Sequence, residues 1–513
     1  MPPTKRTSGA VKADGASAAD SPPMSSALAA PPTEASRQYL GVFYIFFLGG
    51  LFALLFQTGR SLPGPQQVLL GVNLALSCFA YYAVSRLTES PFMASMFIDA
   101  GLKGIDLNKV TTRRDKETGA LVRPIDGKAI PESQGAISAT IYIIVLSILI
   151  PVAFGTETSS RLQTALEGIG QHMVESTRSV NPHEHLSEYL AALLSIALGA
   201  FLGFADDVLD LRWRHKIPLP LLANLPLLLV YHAGGGLTGV TVPNQLQTLF
   251  GTSYLELSLG FYAFLLGLAL VSTHAINIYS GVNGLEAGQS VIIAASIVTF
   301  NAIQLVRTAS LPADGQVGLY QAQHIMSLVL TLPFLLTTMA LLRQNWFPSR
   351  VFVGDTLPYL AGSLFAAVSI VGHFSKMMVL LLLPQIINAL FSVPQVLRWI
   401  PIPRHRMPGF DQHTGLVKAS YTDAFCEKDL KILGRATMWV LRTFRLADIQ
   451  VVSRDAGTVR VTNLTLNCLC LYWFGDCRED ILCVKLMLLQ ALCTMLAFAV
   501  RFGLTRYFFD VVR

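Results

Sequence analysis

Apolar residues gather in eleven runs near the length of a membrane span, at about 39–57, 66–85, 136–154, 188–205, 218–234, 255–278, 288–307, 323–343, 356–374, 377–397 and 484–503. A helix rises about 1.5 Å per residue, so crossing a hydrocarbon layer of about 30 Å takes about 20 mostly apolar residues. The pattern predicts an all-α, polytopic membrane helix bundle in which the shorter runs are tilted or re-entrant. Residues 1–37 are rich in Ala, Ser, Pro and Thr without any period and are expected to form a disordered tail. The first run starts only near Tyr39, too deep for a secretory leader, so 38–65 reads as a retained membrane segment and its connection. The main bundle then covers 66–400. Residues 401–483 are too many for a plain connection, and Asp448–Leu466 alternates like a hairpin around Asp455-Ala456-Gly457. A small α+β insertion is expected there, ahead of a last membrane helix and C-terminus at 484–513.

Composition agrees with lipid as the main solvent. Only 14% of the 513 residues are charged, where a soluble domain carries about a quarter. The net charge of +6 is spread thinly, which suits loops beside an anionic leaflet and gives no nucleic-acid groove. If all eleven runs cross, the tail shares a side with the connections after the even-numbered runs. The tail and the short connections on that side hold 17 Lys and Arg, against five in the connections on the other side (Arg60, Arg161, Arg178, Arg307 and Lys376), with Arg506 and Arg513 past the last run as a small exception. The positive-inside rule makes the richer side cytosolic. The sequon Asn463-Leu464-Thr465 would then stay unglycosylated. Seven cysteines lack paired CxxC spacing, so Cys468 and Cys470 read as small apolar residues rather than as a metal knuckle.

Four polar clusters fall on the cytosolic side by this parity. Asp206-Asp207 closes the fourth run and is followed by Asp210, Arg212, Arg214, His215 and Lys216. Two adjacent carboxylates at a membrane edge must meet water, a cation or a partner. His274-Ala275-Ile276-Asn277 leads through a glycine turn to Asn283, a place where backbone can approach a ligand closely. Asp355 opens the ninth run and, taken alone, reads as a helix N-cap. Arg404-His405-Arg406 lies between prolines just past the tenth run, suited to a phosphate or sugar. Carboxylates and amides are hard donors for Mg²⁺, which typically takes one or two carboxylates plus substrate phosphates. With basic groups nearby to neutralise a transferring phosphoryl group, the set points to phosphoryl transfer between a soluble nucleotide substrate and a membrane lipid.

At these residues the chain resembles a known family. FLGFADDVLDLRWRHK (201–216), AINIYSGVNGLEAGQS (275–290), VFVGDT (351–356), PRHRMP (403–408) and the segments Ile105–Lys109 and Pro131–Gly135 are similar to the eukaryotic UDP-N-acetylglucosamine–dolichyl-phosphate N-acetylglucosaminephosphotransferases. Those enzymes belong to the wider polyprenyl-phosphate hexosamine-1-phosphate transferases. The resemblance implies transfer of GlcNAc-1-phosphate from UDP-GlcNAc to dolichyl phosphate, releasing UMP, at the endoplasmic reticulum membrane with the site facing the cytosol. It implies the first step of N-glycan precursor assembly, tunicamycin sensitivity, and room for a homodimer in the bilayer. In family terms Asn277 and Asp355 would hold Mg²⁺, and Lys216 would meet the phosphates. Ile105, Asp106, Leu107, Glu132, Asn283 and Phe352 would form the uridine site. Arg404, His405 and Arg406 would grip GlcNAc and pyrophosphate, while Asp206 and Asp207 form the essential acidic pair. The family core has ten membrane helices, so 39–57 looks like an N-terminal addition.

Three positions depart from the family pattern: His274 replaces Asn, Tyr279-Ser280 replaces a more apolar pair, and Asp210 replaces Asn. Two rival readings are weaker. Asp206-Asp207-Val208-Leu209-Asp210 matches the aspartate-rich motif of prenyltransferases, but no other span end offers a second acidic cluster. A transporter would place its polar residues near the midplane on broken helices with repeat symmetry, which this sequence lacks.

Overall fold

A computed structural model describes residues 33–106, 129–155, 182–209, 211–311, 315–403, 407–411, 414–453 and 456–509. The helices are α1 (Thr33–Arg60), α2 (Gly64–Glu89), α3 (Pro91–Asp99), α4 (Gly135–Phe154), α5 (Pro182–Leu209), α6 (Leu219–Ala233), α7 (Asn244–Phe250) and α8 (Leu259–Ile278). There follow α9 (Leu285–Ala309), α10 (Gly315–Asn345), α11 (Thr356–Val371), α12 (Ser375–Leu381), α13 (Leu383–Val396), α14 (Ile432–Thr443), α15 (Leu466–Phe474) and α16 (Glu479–Ala499). Every apolar run is helical over most of its length, the run 255–278 opening in a short strand before its helix starts at Leu259. Among the described residues nine helices are long and apolar enough to cross a membrane, and the bent pair α12–α13 makes a tenth. The chain is a multi-pass membrane protein.

The ninth run, α11, has 16 residues, about 24 Å of helix, and every one of them is buried. It needs no contact with lipid because α4, α5, α6, α8 and α10 surround it. Small residues allow that closeness. Gly199 and Gly203, one turn apart on α5, face α11: a Cβ on Gly203 would lie 2.8 Å from both Thr356 Cα and Tyr359 Cβ, and one on Gly199 would overlap Ser363. On the other side Gly362 lies against the Thr273 backbone, and Ser272 donates to the Gly362 carbonyl at 3.0 Å. Without a hydrophobic drive between helices in lipid, such close backbone packing is what holds them together.

Burial sorts the remaining helices. The most apolar stretch of α10 is 94% buried and that of α1 only 22%, so α10 is central and α1 peripheral. The peripheral helix is still fastened. Tyr44 donates to the Met339 carbonyl at 2.8 Å, Trp346 Nε1 to Ser36 at 3.0 Å, and Arg37 to the Pro348 carbonyl at 2.8 Å. Those bonds put the start of α1 at the same end as the α10–α11 connection, as the parity of eleven segments requires. Helix α1 begins at Thr33, inside the segment expected to be tail; residues 1–32 lie outside the described ones.

Two findings differ from the sequence expectation. The run 377–397 breaks at Leu382, where α12 and α13 meet at 66°. Pro384 in the first turn of α13 lacks an N–H to carry the helical ladder across the break, and the Leu381 carbonyl beside the break accepts from Gln490 at 2.8 Å. Gln385 just beyond the break donates to Gln289 at 2.7 Å and Gln490 at 2.6 Å, fixing the bend. Nor are polar clusters confined to one end. His324 Nδ1 pairs with Asn301 at 2.8 Å, and Asn301 donates to Ser327 at 2.9 Å, all buried in the halves of α9 and α10 far from Asp355.

Four small antiparallel sheets complete the fold. Strands β1 (Lys103–Gly104) and β2 (Ile130–Pro131) pair beside the α10–α11 connection, and β3 (Gly239–Thr241) pairs with β4 (Tyr254–Glu256). In the insertion β5 (Gly409–Phe410) pairs with β6 (Val417–Lys418), and β7 (Phe425–Cys426), β8 (Ile449–Ser453) and β9 (Thr458–Val461) form a sheet ordered β7–β9–β8. The β8–β9 hairpin turns at Gly457, with φ of +60°. Met438 and Leu441 of α14 close a separate core with Ile400, Val459, Val461 and Leu464. Asn463 of the sequon is buried at 3% exposure, while Cys468 and Cys470 lie buried on α15.

The glycine seam gives a stability test. Gly203→Ala is expected to destabilise the protein by about 1–3 kcal/mol through overpacking. Gly267→Ala, where nothing lies within 4 Å of the added atom, should leave the melting temperature unchanged or raised. Thermal unfolding in detergent compares the two.

Candidate active site

The first turn of a helix leaves backbone N–H groups without partners, and α11 begins in a buried place. Asp355 was expected to cap it, but the Asp355 side chain makes no capping bond. The last turn of α5 supplies the cap instead. Asp207 Oδ1 accepts from the Asp355 N–H at 2.6 Å, and its Oδ2 accepts from the Thr356 N–H at 3.2 Å and the Thr356 hydroxyl at 2.7 Å. A carboxylate at the end of α5 opposes that helix's dipole, and the positive end of α11 compensates it. Gly354 permits the approach: its φ is +68°, and a Cβ there would lie 2.5 Å from Asp207 Oδ2. Relieved of capping, the Asp355 carboxylate points away at 31% side-chain exposure.

Asp206 does different work. Its fully buried carboxylate meets Lys216 Nζ at 2.8 Å and accepts from the Leu211 N–H at 3.1 Å, folding the 206–217 connection around itself. Lys216 Nζ also meets Asp355 Oδ2 at 3.1 Å. An ammonium has three N–H donors, so one is left for a further acceptor such as a phosphate oxygen.

A second group forms on the flank. Phe352 N–H donates to the Pro131 carbonyl at 2.9 Å, and the Phe352 carbonyl accepts from Gln134 at 3.0 Å, splicing the 351–355 loop onto the β1–β2 ribbon. The Phe352 ring covers Gly104 so closely that a Cβ there would lie 2.9 Å from it, with the Glu132 carboxylate near. Asn283 donates to buried Asp106 at 2.8 Å. The Asn283 and Gly284 N–H groups donate to Glu479 at 2.8 Å and Asn345 at 3.0 Å. Ile105 is exposed at the edge of this group; Leu107 lies outside the described residues.

Asn277 occupies the last turn of α8, three residues after His274, whose ring packs edge-on against Tyr359 of α11. Positions three apart share a helix face, so Asn277 lies on the α11 side of α8. Arg404, His405, Arg406 and Asp210 also fall outside the described residues, but Met407 lies against Gly281 in the turn between Asn277 and Asn283.

Electrostatically this end is acidic. Glu132 is half-buried, and burial first, then the Asp207 and Asp355 charges, raise its pKa above the ordinary glutamate value. Lys216 is the one cation bonded to the Asp206–Asp355 group among the described residues. No three His, Cys, Asp or Glu side chains among the described residues converge as a metal cage. Asp355 and Asn277 nonetheless fit a hard cation that draws its remaining oxygens from phosphates and water.

The chain is similar to known proteins over the segments that build this group. A model of glycosyl transferase family 4 fits residues 189–373, which hold Asp206, Asp207, Lys216, Asn277, Asn283, Phe352 and Asp355. A UDP-N-acetylglucosamine–dolichyl-phosphate N-acetylglucosaminephosphotransferase of Schizosaccharomyces pombe is 36% identical over 84% of this chain and 91% of its own. Proteins of the same name from Saccharomyces cerevisiae and Dictyostelium discoideum are 35% and 37% identical, over 85% and 80% of this chain and 91% and 84% of their own.

Sequence reasoning missed Asn345 and Glu479, which touch the site's groups from neighbouring elements, and gave Thr356 no role beyond its place in VFVGDT. It also passed over Gly199-Ala-Phe-Leu-Gly203, whose small-xxx-small spacing could have exposed the α5–α11 seam.

The raised Glu132 value carries a pH prediction. The folded state holds the proton more tightly than the unfolded chain, so stability falls as pH rises from the ordinary glutamate range through the raised value. Glu132→Gln should therefore raise the melting temperature of ligand-free protein at neutral pH, and the gain should vanish near pH 4, below the ordinary glutamate value of about 4.3. Melting curves across pH give the comparison.

Proposed function

Because the chain belongs to the UDP-N-acetylglucosamine–dolichyl-phosphate N-acetylglucosaminephosphotransferase family, we propose that its acidic end transfers GlcNAc-1-phosphate from UDP-GlcNAc to dolichyl phosphate and releases UMP. The observation that carries the reading is the line Asp206–Lys216–Asp355, anchored by Asp207 beside the Asp106–Asn283–Phe352 group. It joins a phosphate-ready cation to an aromatic and amide surface fit for a nucleoside.

An oxygen of the lipid phosphate attacks the β-phosphorus in line. The bond from that phosphorus to the oxygen bridging the α-phosphorus breaks, and the electron pair leaves on UMP. A phosphate monoester has a second pKa of about 6, so near neutrality the nucleophile is already largely dianionic. Catalysis is then mostly positioning and charge stabilisation. The free N–H of Lys216 holds a phosphate oxygen; Phe352 and the Asp106–Asn283 pair orient the nucleoside. Mg²⁺ bound through Asp355, Asn277 and phosphate oxygens would supply further neutralisation of the transferring group. Arg404, His405 and Arg406 are proposed to reach the sugar and pyrophosphate.

Both oxygens of Asp207 accept hydrogen bonds from the start of α11, which supports a positioning role and direct transfer rather than a phospho-aspartate intermediate. The same engagement weakens the prenyltransferase reading, since neither aspartate of the pair is left to bind a metal-diphosphate. The 17-to-five Lys and Arg bias and the fastening of α1 support a cytosolic site. An endoplasmic reticulum location, tunicamycin sensitivity, a homodimer and the first step of N-glycan precursor assembly belong to this proposal.

The test is release of UMP and formation of GlcNAc-diphosphate-lipid by purified membranes given UDP-GlcNAc, dolichyl phosphate and Mg²⁺. Asp355→Ala and Asp207→Asn should each lower kcat by about a hundredfold or more. Activity should be lost with a chelator and with tunicamycin. Unchanged turnover in both variants, or a trapped phospho-aspartate at Asp207, would overturn the mechanism. Separately, Glu479→Ala, which removes the acceptor of the Asn283 N–H, should raise KM for UDP-GlcNAc several-fold with little change in kcat, as expected when it supports Asn283 and does not touch the reacting atoms.

A further inference from the structure

The insertion presents an apolar surface that its own fold does not use. Helix α14 is apolar on two opposite faces. Gly434, Met438 and Leu441 form the inner one, buried against the end of α13; a Cβ on Gly434 would collide with the Trp399 carbonyl. At 100° per residue, Ile432, Trp439, Val440, Leu433 and Phe444 point to the other side. They are exposed, Ile432 at 79% and Trp439 at 64%. A water-facing helix would carry polar residues there.

Three observations indicate what covers this face. The apolar surface is continuous with membrane-facing surface: Leu390, Val396 and Leu397 at the end of α13 are exposed, and the chain passes directly from them to Trp399 beneath α14. It is widened by a second element, because Trp473 Nε1 donates to the Arg445 carbonyl at 2.9 Å, bringing exposed Trp473 and Phe474 of α15 beside Phe444. It is also rimmed by positive charge: Lys428, Lys431, Arg435 and Arg445 are exposed, against acidic Asp429 over the same stretch, where Arg442 and Glu427 pair with each other. Tryptophan, phenylalanine and basic residues around an apolar helix face are the makeup of a helix lying in the headgroup layer of an anionic leaflet.

We propose that the outer face of α14, extended by Trp473 and Phe474, rests in the headgroup layer of the bilayer that α13 and α16 span. This contact lays the insertion flat on the membrane. It also places Met407 beside the lipid surface from which a polyprenyl phosphate would enter.

The experiment uses the full chain in nanodiscs of phosphatidylcholine and phosphatidylserine, with and without brominated acyl chains. Trp439 emission is read as wild type minus Trp439→Phe, which cancels the other four tryptophans. The expected result is at least a twofold loss of this difference emission in brominated nanodiscs, with little quenching by aqueous acrylamide. Strong acrylamide quenching without bromolipid quenching would put the face in water and overturn the proposal. Protection from both quenchers would mean that protein covers it, a second copy included, and would overturn it equally. Unchanged melting of Trp439→Phe shows that the subtraction compares folded proteins. Neither failure would touch the transferase reading, which the UMP assay tests independently.

Discussion

One carboxylate does the organising work at the acidic end of the bundle. Helix α11 is short and buried along its whole length, so the N–H groups of its first turn need a partner from within the protein. Asp207 supplies it with three accepted hydrogen bonds, one of them from a hydroxyl. Bonds to an ionised acceptor are the strong kind, and leaving such donors unpaired in an apolar interior costs about 1–3 kcal/mol each. Capping from another helix leaves the side chain at the natural capping position, Asp355, available for other contacts.

The rest of the site is built on that join. Gly199 and Gly203 let α5 approach α11 closely enough for Asp207 to reach, and Gly354 keeps the intervening turn clear. Asp206, next to Asp207, draws in Lys216, and Lys216 reaches the freed Asp355. The arrangement gathers more acid than base and leaves Glu132 reluctant to ionise.

Around this centre the connections on one side of the bundle interlock. The start of α1 is tied to the α10–α11 connection, the α8–α9 turn to both the 102–106 segment and the head of α16, and Met407 to Gly281. A site assembled from so many connections depends on every helix crossing in the right order. The bend between α12 and α13, locked by Gln289, Gln385 and Gln490, also touches it, since Gln289 donates to the Tyr279 carbonyl just past Asn277 at 2.9 Å.

Much of this was legible in the sequence, because solvation by lipid writes itself into residue order. The eleven apolar runs, the hairpin at Asp448–Leu466 and the excess of Lys and Arg on one side follow from the cost of exposing backbone or charge to hydrocarbon. The motifs also named Asp206, Asp207, Lys216, Asn283 and Asp355 as residues with a task. Hydropathy could not divide the tasks, because it scores residues one at a time. That Asp207 caps a helix 148 residues away, that Asp355 is thereby released, and that Lys216 bridges two carboxylates were decided by tertiary contacts. Asn345 and Glu479 escaped notice for the same reason: an amide ending one helix and a glutamate opening another acquire meaning only where folding sets them against the Asn283 and Gly284 N–H groups.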